Sequence, residues 1–226
     1  MSLDYVVIFF QIIAFLFAIS VHESAHAWMA NRCGDPTARM LGRITLNPIK
    51  HIDPVGTILL PLISVISHFP MLGWAKPTPV DPHNFKNPVL DDILTSVVGP
   101  ISNFIVAAAA TLVLLLFKLT PAGNDVINGL IGAGGGGHAD SVMVPLCDLL
   151  YALLEINVVL AVFNLIPVPP LDGSHVLRHF LPDSVLRVYD IVGMVALLAL
   201  VYFGGRYLDV LLAPFMNFFN WALYTL

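Results

Sequence analysis

Apolar residues in this chain run on rather than alternate. Leu3 to Ala30 carries few polar positions, and so do Ile93 to Phe117 and Val142 to Ile166. Each run reaches the ~20 residues that a helix needs to cross bilayer hydrocarbon, whereas a membrane β-barrel would show alternating segments of about ten. The pattern predicts membrane helices over 3–30, 90–119 and 142–166, and two more over Ser184 to Phe203 and Tyr207 to Leu226. As one helix the first would be about 42 Å long, so it must tilt or protrude.

The breaks between these runs are informative. Ala38 to Asp53, ARMLGRITLNPIKHID, combines Gly, Asn-Pro and alternating apolar residues, which predicts a short strand or hairpin at the membrane surface. Val55 to Ile66 is apolar but short and contains Pro61, which fits a re-entrant or interfacial segment better than a full span. Met71 to Val89 is rich in Pro and Asn and reads as an irregular interfacial loop. Thr120 to Asp140, with GAGGGG and no Lys or Arg, reads as a flexible exposed connection. The fold class that follows is an all-α polytopic membrane protein of about five transmembrane helices, with one re-entrant or interfacial segment and a small surface strand or hairpin. Residues 1–180 hold every chemically suggestive cluster, and 181–226 read as C-terminal transmembrane scaffold of the same membrane domain.

Composition agrees: of 226 residues, 58% are hydrophobic and 11% charged, too few charges to cover a water-facing surface. The ten Lys and Arg form no run that would track a phosphate backbone, so nucleic acid is excluded as a partner. Cys33 and Cys147 form no CxxC pair and indicate neither a disulfide framework nor a thiolate metal site. The N-terminus lacks the basic region and small-residue cleavage site of a secretory signal, so the first segment is expected to stay as a membrane helix.

Chemistry concentrates in VHESAH, inside the first apolar run. On a helix, His22 and His26 lie about 40° apart in azimuth and one turn apart in height, so both imidazoles can reach one ion. Glu23 lies on the adjacent flank, the position of a general base beside a zinc ion that acidifies water and polarises a peptide carbonyl. A carboxylate in mid-helix costs ~2.5 kcal/mol or more to insert in lipid, which argues against a chance HExxH pattern. A catalytic zinc takes three protein ligands, and Asp172 is the best third: it sits in PVPPLDG, where prolines break a helix and Gly173 leaves room for close backbone approach. The bland alternative for Asp172 is a helix cap. His175 and His179 form a rival pair without an adjacent Glu, and His51, His68, His83 and His138 fall in loops or segment ends.

A shared ion requires His26 and Asp172 at one depth, so an even number of crossings must separate them. The helices at 90–119 and 142–166 supply two, and Val55 to Ile66 must then turn back. Arg32, Arg39, Arg43, Lys50, Lys76 and Lys86 fall on one side under this topology, which the positive-inside rule makes cytoplasmic. The N-terminus is then outside, the C-terminus inside, and the ion within the cytoplasmic leaflet of a multi-pass protein of the cell membrane.

With HExxH in an apolar helix, GPISN in the next long one, NLIPVPPLDG after the third and GWAKPTPV between the first two, the chain resembles the site-2 protease family over about residues 10–180. The resemblance implies one zinc ion held by His22, His26 and Asp172, Glu23 as catalytic base, and Asn103 as a substrate-orienting or oxyanion-stabilising residue. Helix packing through Gly99, Ser102 and Asn103 is the alternative for that last motif. No inserted PDZ or appended regulatory domain is evident. The expected function is endopeptidase cleavage of a transmembrane helix of another membrane protein within the bilayer, as in regulated intramembrane proteolysis. A non-proteolytic zinc-binding or zinc-transporting membrane protein, with Glu23 as ligand or proton relay, is the alternative. The sequence sets no oligomeric state and no natural substrate.

Overall fold

The computed structural model describes residues 5–60, 63, 74–132 and 142–225. Three long helices form its centre: α1 (Tyr5–Cys33), α3 (Pro88–Lys118) and α5 (Met143–Asn164), with the short α2 (Thr37–Met40) after the first. The connection from α3 to α5 contains α4 (Pro121–Leu130), and α6 (Asp172–Arg178), α7 (Asp183–Phe203) and α8 (Gly205–Thr225) complete the chain. The protein is an all-α, multi-pass membrane protein.

The three long helices have nearly the same hydrophobicity all round, because lipid outside is as apolar as the interior. What distinguishes their inner faces is size and polarity. On α1 the buried positions Ala14, Ala18, His22, His26 and Ala30 recur every four residues. On α3, Asp91, Thr95, Gly99, Asn103, Ala107 and Thr111 do the same. These are rows of small or hydrogen-bonding side chains, which let membrane helices pack closely. Toward the end of the bundle remote from the histidines, Leu114, Ile127, Leu154, Val158, Phe219 and Leu223 form the main apolar core.

Three expectations change. Among the described residues no strand forms over 38–53: the segment folds as α2, a turn at Gly42 (φ 67°) and a single 3₁₀ turn at Pro48–Lys50 capped by the Asn47 side chain. Its alternation was too short to pair with anything, and the buried Arg43 guanidinium, donating to the carbonyls of Lys50, Lys76 and Pro77, organises it instead. Part of the expected flexible connection is the helix α4, started by the Thr120 side chain accepting from Gly123 N and by Pro121 in the first turn, and anchored by the fully buried Ile127. The glycine run beyond it lies outside the described residues. Finally, among the described residues three helices are long and apolar enough to cross a membrane, or four crossings result if α7 and α8, bent by 86°, count as one. The expected number was about five.

Val55 to Ile66 begins as a π-helical turn, Pro54–Leu59, capped by Asp53. Most of its remainder lies outside the described residues. Trp74 N returns to the Gly56 carbonyl, so the chain comes back to where it left.

Candidate metal centre

His22 and His26 reach the interior because α1 presents every fourth residue to α3. Their Nε2 atoms lie 3.0 Å apart. Asp172 arrives from the other end of the chain. After α5 ends at Asn164, the proline-rich turn leads into α6, whose first residue is Asp172. Gly173 makes the fold-back possible, since a Cβ there would lie 2.3 Å from the Leu165 carbonyl oxygen. Asp172 Oδ2 comes within 3.1 Å of His22 Nε2 and 3.4 Å of His26 Nε2.

The hydrogen bonds on the far side of each ring say what those atoms carry. His22 Nδ1 donates to Asn103 Oδ1 at 2.6 Å, and His26 Nδ1 donates to the Thr95 carbonyl at 2.6 Å. Neutral imidazoles with protonated Nδ1 have their lone pairs on Nε2. Two such lone pairs and a buried carboxylate oxygen without a hydrogen-bond partner therefore converge on one point. Three acceptors facing one another repel unless a cation lies among them. A tetrahedral zinc site with bonds of about 2.0–2.1 Å has ligand–ligand edges of about 3.3 Å, which these separations match. His22, His26 and Asp172 fit zinc.

Gly99 of α3 closes the site from beneath. A Cβ at this position would lie 2.4 Å from His26 Nε2 and 2.8 Å from His22 Cε1, so only glycine leaves room for both rings. Glu23 is held from a different segment. Its Oε2 accepts from Thr78 N at 2.8 Å and Thr78 Oγ1 at 2.7 Å, and its carbonyl accepts from the same hydroxyl. Thr78 belongs to the extended segment 74–81, which Arg43 holds through the carbonyls of Lys76 and Pro77. An apolar groove of about 450 Å³ lined by Val21, Ala25, Trp28, Leu46 and Ile101 opens on the other side of α1, so Glu23 does not face it.

Asn103 is fully buried and its amide is committed within the protein: Oδ1 to His22, Nδ2 to the Ala18 carbonyl at 3.2 Å and to Asn157 Oδ1 at 2.7 Å. The rival pair joins a different partner. His179 Nε2 lies 2.7 Å from Asp92 Oδ2 and His175 Nδ1 3.6 Å from Asp92 Oδ1, tying α6 to α3. His51 is fully buried with Nε2 on the Thr45 carbonyl. Sequence reasoning missed Thr78, Arg43 and Asn157. The first lies in GWAKPTPV, whose two prolines around one threonine were the available signal; the other two carry none.

A model of peptidase family M50 matches residues 10–202. A Bacillus subtilis protein named "Putative zinc metalloprotease YwhC" is 36% identical over 176 residues, which cover 78% of this chain and 71% of that protein. "Putative zinc metalloprotease Rip2" of Mycolicibacterium smegmatis is 29% identical over 185 residues, and the matched part is 62% of its length. Its namesake in Mycobacterium tuberculosis is 28% identical over the same length. No solved structure matches the chain.

Proposed function

Because the chain belongs to peptidase family M50 and is a zinc metalloendopeptidase, we propose that it cleaves transmembrane helices of other membrane proteins within the bilayer. The observation that carries this reading is the convergence of His22 Nε2, His26 Nε2 and Asp172 Oδ2 inside a seam of apolar helices, with Glu23 one residue from the first ligand. His22, His26 and Asp172 would hold the ion. When bound, zinc supplies Lewis acidity, polarising a peptide carbonyl and acidifying water.

The chain's own residues do the rest. Glu23 is the general base that takes a proton from the attacking water, and later gives it to the leaving amine. Thr78 fixes the carboxylate by two hydrogen bonds to Oε2, which restricts how Glu23 can swing. Asn103, with both ends of its amide engaged, serves to orient His22 instead of contacting substrate. A substrate helix must unwind locally first, because its carbonyls are already hydrogen-bonded and sterically covered. The basic residues Arg32, Arg39, Arg43, Lys50, Lys76 and Lys86 lie in the last turn of α1, after His26, or in the connection from there to α3, which supports a cytoplasmic-leaflet location in the cell membrane. No binding surface for nucleic acid enters this reading.

The test uses purified protein in proteoliposomes and a fluorogenic transmembrane peptide interrupted by Gly-Pro near its middle. The peptide should be cut, and faster than an uninterrupted polyleucine helix. Glu23→Gln should retain one zinc per chain and lose cleavage by at least about 1,000-fold. Cleavage persisting in that variant would remove Glu23 as the base. Zinc retained by His22→Gln and Asp172→Asn alike would remove the site.

A further inference from the structure

Asn157 sits in α5, fully buried, two residues after Glu155 and in a stretch that is mainly apolar. An amide at this depth is costly unless every hydrogen bond is made, so its partners matter. Asn157 Nδ2 donates to the Leu153 carbonyl of its own helix at 2.8 Å. Its Oδ1 accepts from Asn103 Nδ2 at 2.7 Å, and Asn103 Oδ1 in turn accepts from His22 Nδ1 at 2.6 Å. One chain of hydrogen bonds thus runs from α5 through α3 to a metal ligand on α1.

Each link in this chain has a direction. The Leu153 carbonyl can only accept, so Asn157 must turn its nitrogen there and its oxygen toward Asn103. Asn103 must then offer Nδ2 to Asn157 and Oδ1 to His22. His22 is left to donate from Nδ1, which places its lone pair on Nε2, facing His26 and Asp172. The two ends of an asparagine amide have nearly the same shape, so Asn103 alone does not select this orientation. Reversed, it would present an N–H to Nδ1, force the ring proton onto Nε2 and turn that atom from a ligand into a donor. The Ala18 carbonyl, 3.2 Å from Asn103 Nδ2, favours the observed orientation more weakly than Asn157 at 2.7 Å.

We propose that Asn157 is a positioning residue of the metal centre: by fixing the polarity of the Asn103 amide it sets the His22 tautomer and thereby the affinity for zinc, without touching metal or substrate. The proposal rests on His22 being a ligand, as in the function proposed above. Groups outside the first coordination sphere typically change metal affinity 10–100-fold, and Asn157 acts one step further out.

The experiment measures zinc affinity of the purified full chain in detergent by competition with a chelator, without reference to any substrate. Asn157→Leu should weaken zinc about tenfold. Asn157→Asp, whose neutral carboxyl at this depth can donate its O–H to the Leu153 carbonyl and keeps an oxygen facing Asn103, should bind within about twofold of wild type. In metal-free protein with ¹⁵N-labelled histidine, the His22 signals, assigned by their loss in His22→Gln, should show a protonated Nδ1 in wild type and Asn157→Asp. They should show an increased share of protonated Nε2 in Asn157→Leu. Wild-type zinc affinity and tautomer in a monodisperse Asn157→Leu protein would overturn the proposal. If Asn157→Leu fails to fold, Asn157→Ala takes its place with the same expected and contrary results. Should His22→Gln itself bind zinc as wild type does, the reading of the site falls, and the polarity relay with it.

Discussion

Two neighbouring residues of α1 are held in opposite ways. His22, with His26 a turn later, faces other helices. Both ring Nδ1 atoms are fixed from α3, by the Asn103 side chain and the Thr95 carbonyl, in a seam whose spacing small residues set. Glu23 faces irregular chain, and its described partner is Thr78 on the extended segment 74–81, which depends on Arg43 for its own place. The proposed ligands are thus built into the close-packed part of the molecule, while the proposed base is built against a strap. Metal binding and proton transfer can therefore be damaged separately, and substitutions should sort by which half they touch.

The largest effect should come from the helical half. Gly99→Ala places a Cβ 2.4 Å from His26 Nε2 and 2.8 Å from His22 Cε1, in rings whose Nδ1 atoms are already bonded to α3 and cannot yield without opening the α1–α3 seam. The rings must move away from Asp172, and zinc affinity should fall about 100-fold, with cleavage lost alongside. Chelator competition reads the first and the interrupted transmembrane peptide the second. Wild-type affinity in this variant would mean the seam is loose, and the contrast between the halves would disappear.

The strap half should respond in cleavage alone. Thr78→Val deletes the hydroxyl donor to Glu23 but keeps the backbone donor, so part of the restraint remains. A hydrogen bond to a charged group contributes about 1.5–3 kcal/mol, so kcat on the peptide should fall roughly tenfold or somewhat more. KM and zinc affinity should stay near wild type, and Thr78→Ser should restore kcat. Arg43→Gln should act in the same direction by loosening Lys76 and Pro77. If Thr78→Val lowers zinc affinity as much as kcat, the two halves are mechanically one.

The same division explains what could be read from the sequence. His22, Glu23, His26 and Asp172 stand out because ionisable side chains in apolar surroundings need a reason, and because HExxH and a proline-broken helix each carry local geometry. The long helices are legible from run length. Segment 74–81 is not: its shape comes from hydrogen bonds to Arg43, His51 and Gly56, residues distant in sequence with no periodicity to announce them. Asn157 is hidden for the opposite reason, as one amide in a mainly apolar helix whose telling partner, Asn103, lies on another helix. Over 38–53 alternation suggested a strand, yet alternation counts only where a partner strand exists. Around 120–132 the glycine content outweighed Thr120, Pro121 and Ile127, which cap and anchor α4.

The smallest predicted effect lies where the two halves join. Asp35, just past α1, is fully buried outside the membrane helices. It accepts from Thr37 N at 3.1 Å and the Thr37 hydroxyl near α1, from Asp81 N at 2.8 Å at the end of the strap, and from Asn84 Nδ2 at 2.9 Å beyond it. Burial pushes its carboxyl up, but these donors outweigh burial and hold it below the usual carboxylate range. A carboxyl with a depressed folded value stabilises the protein fully above the unfolded value of about 3.9, and loses that contribution as pH falls through the lower folded value. At neutral pH, Asp35→Asn should therefore lower Tm by a few degrees, because it turns an N–H toward groups that donate. Below about pH 4 the wild-type curve should fall toward that of the variant. Zinc affinity should not change, since no ligand hangs on Asp35. Cleavage should drop less than in Thr78→Val, because Arg43 still holds the strap nearer to Glu23. An Asp35→Asn protein that loses zinc would show that the strap also supports the helical half, and the boundary between the two would have to be drawn elsewhere.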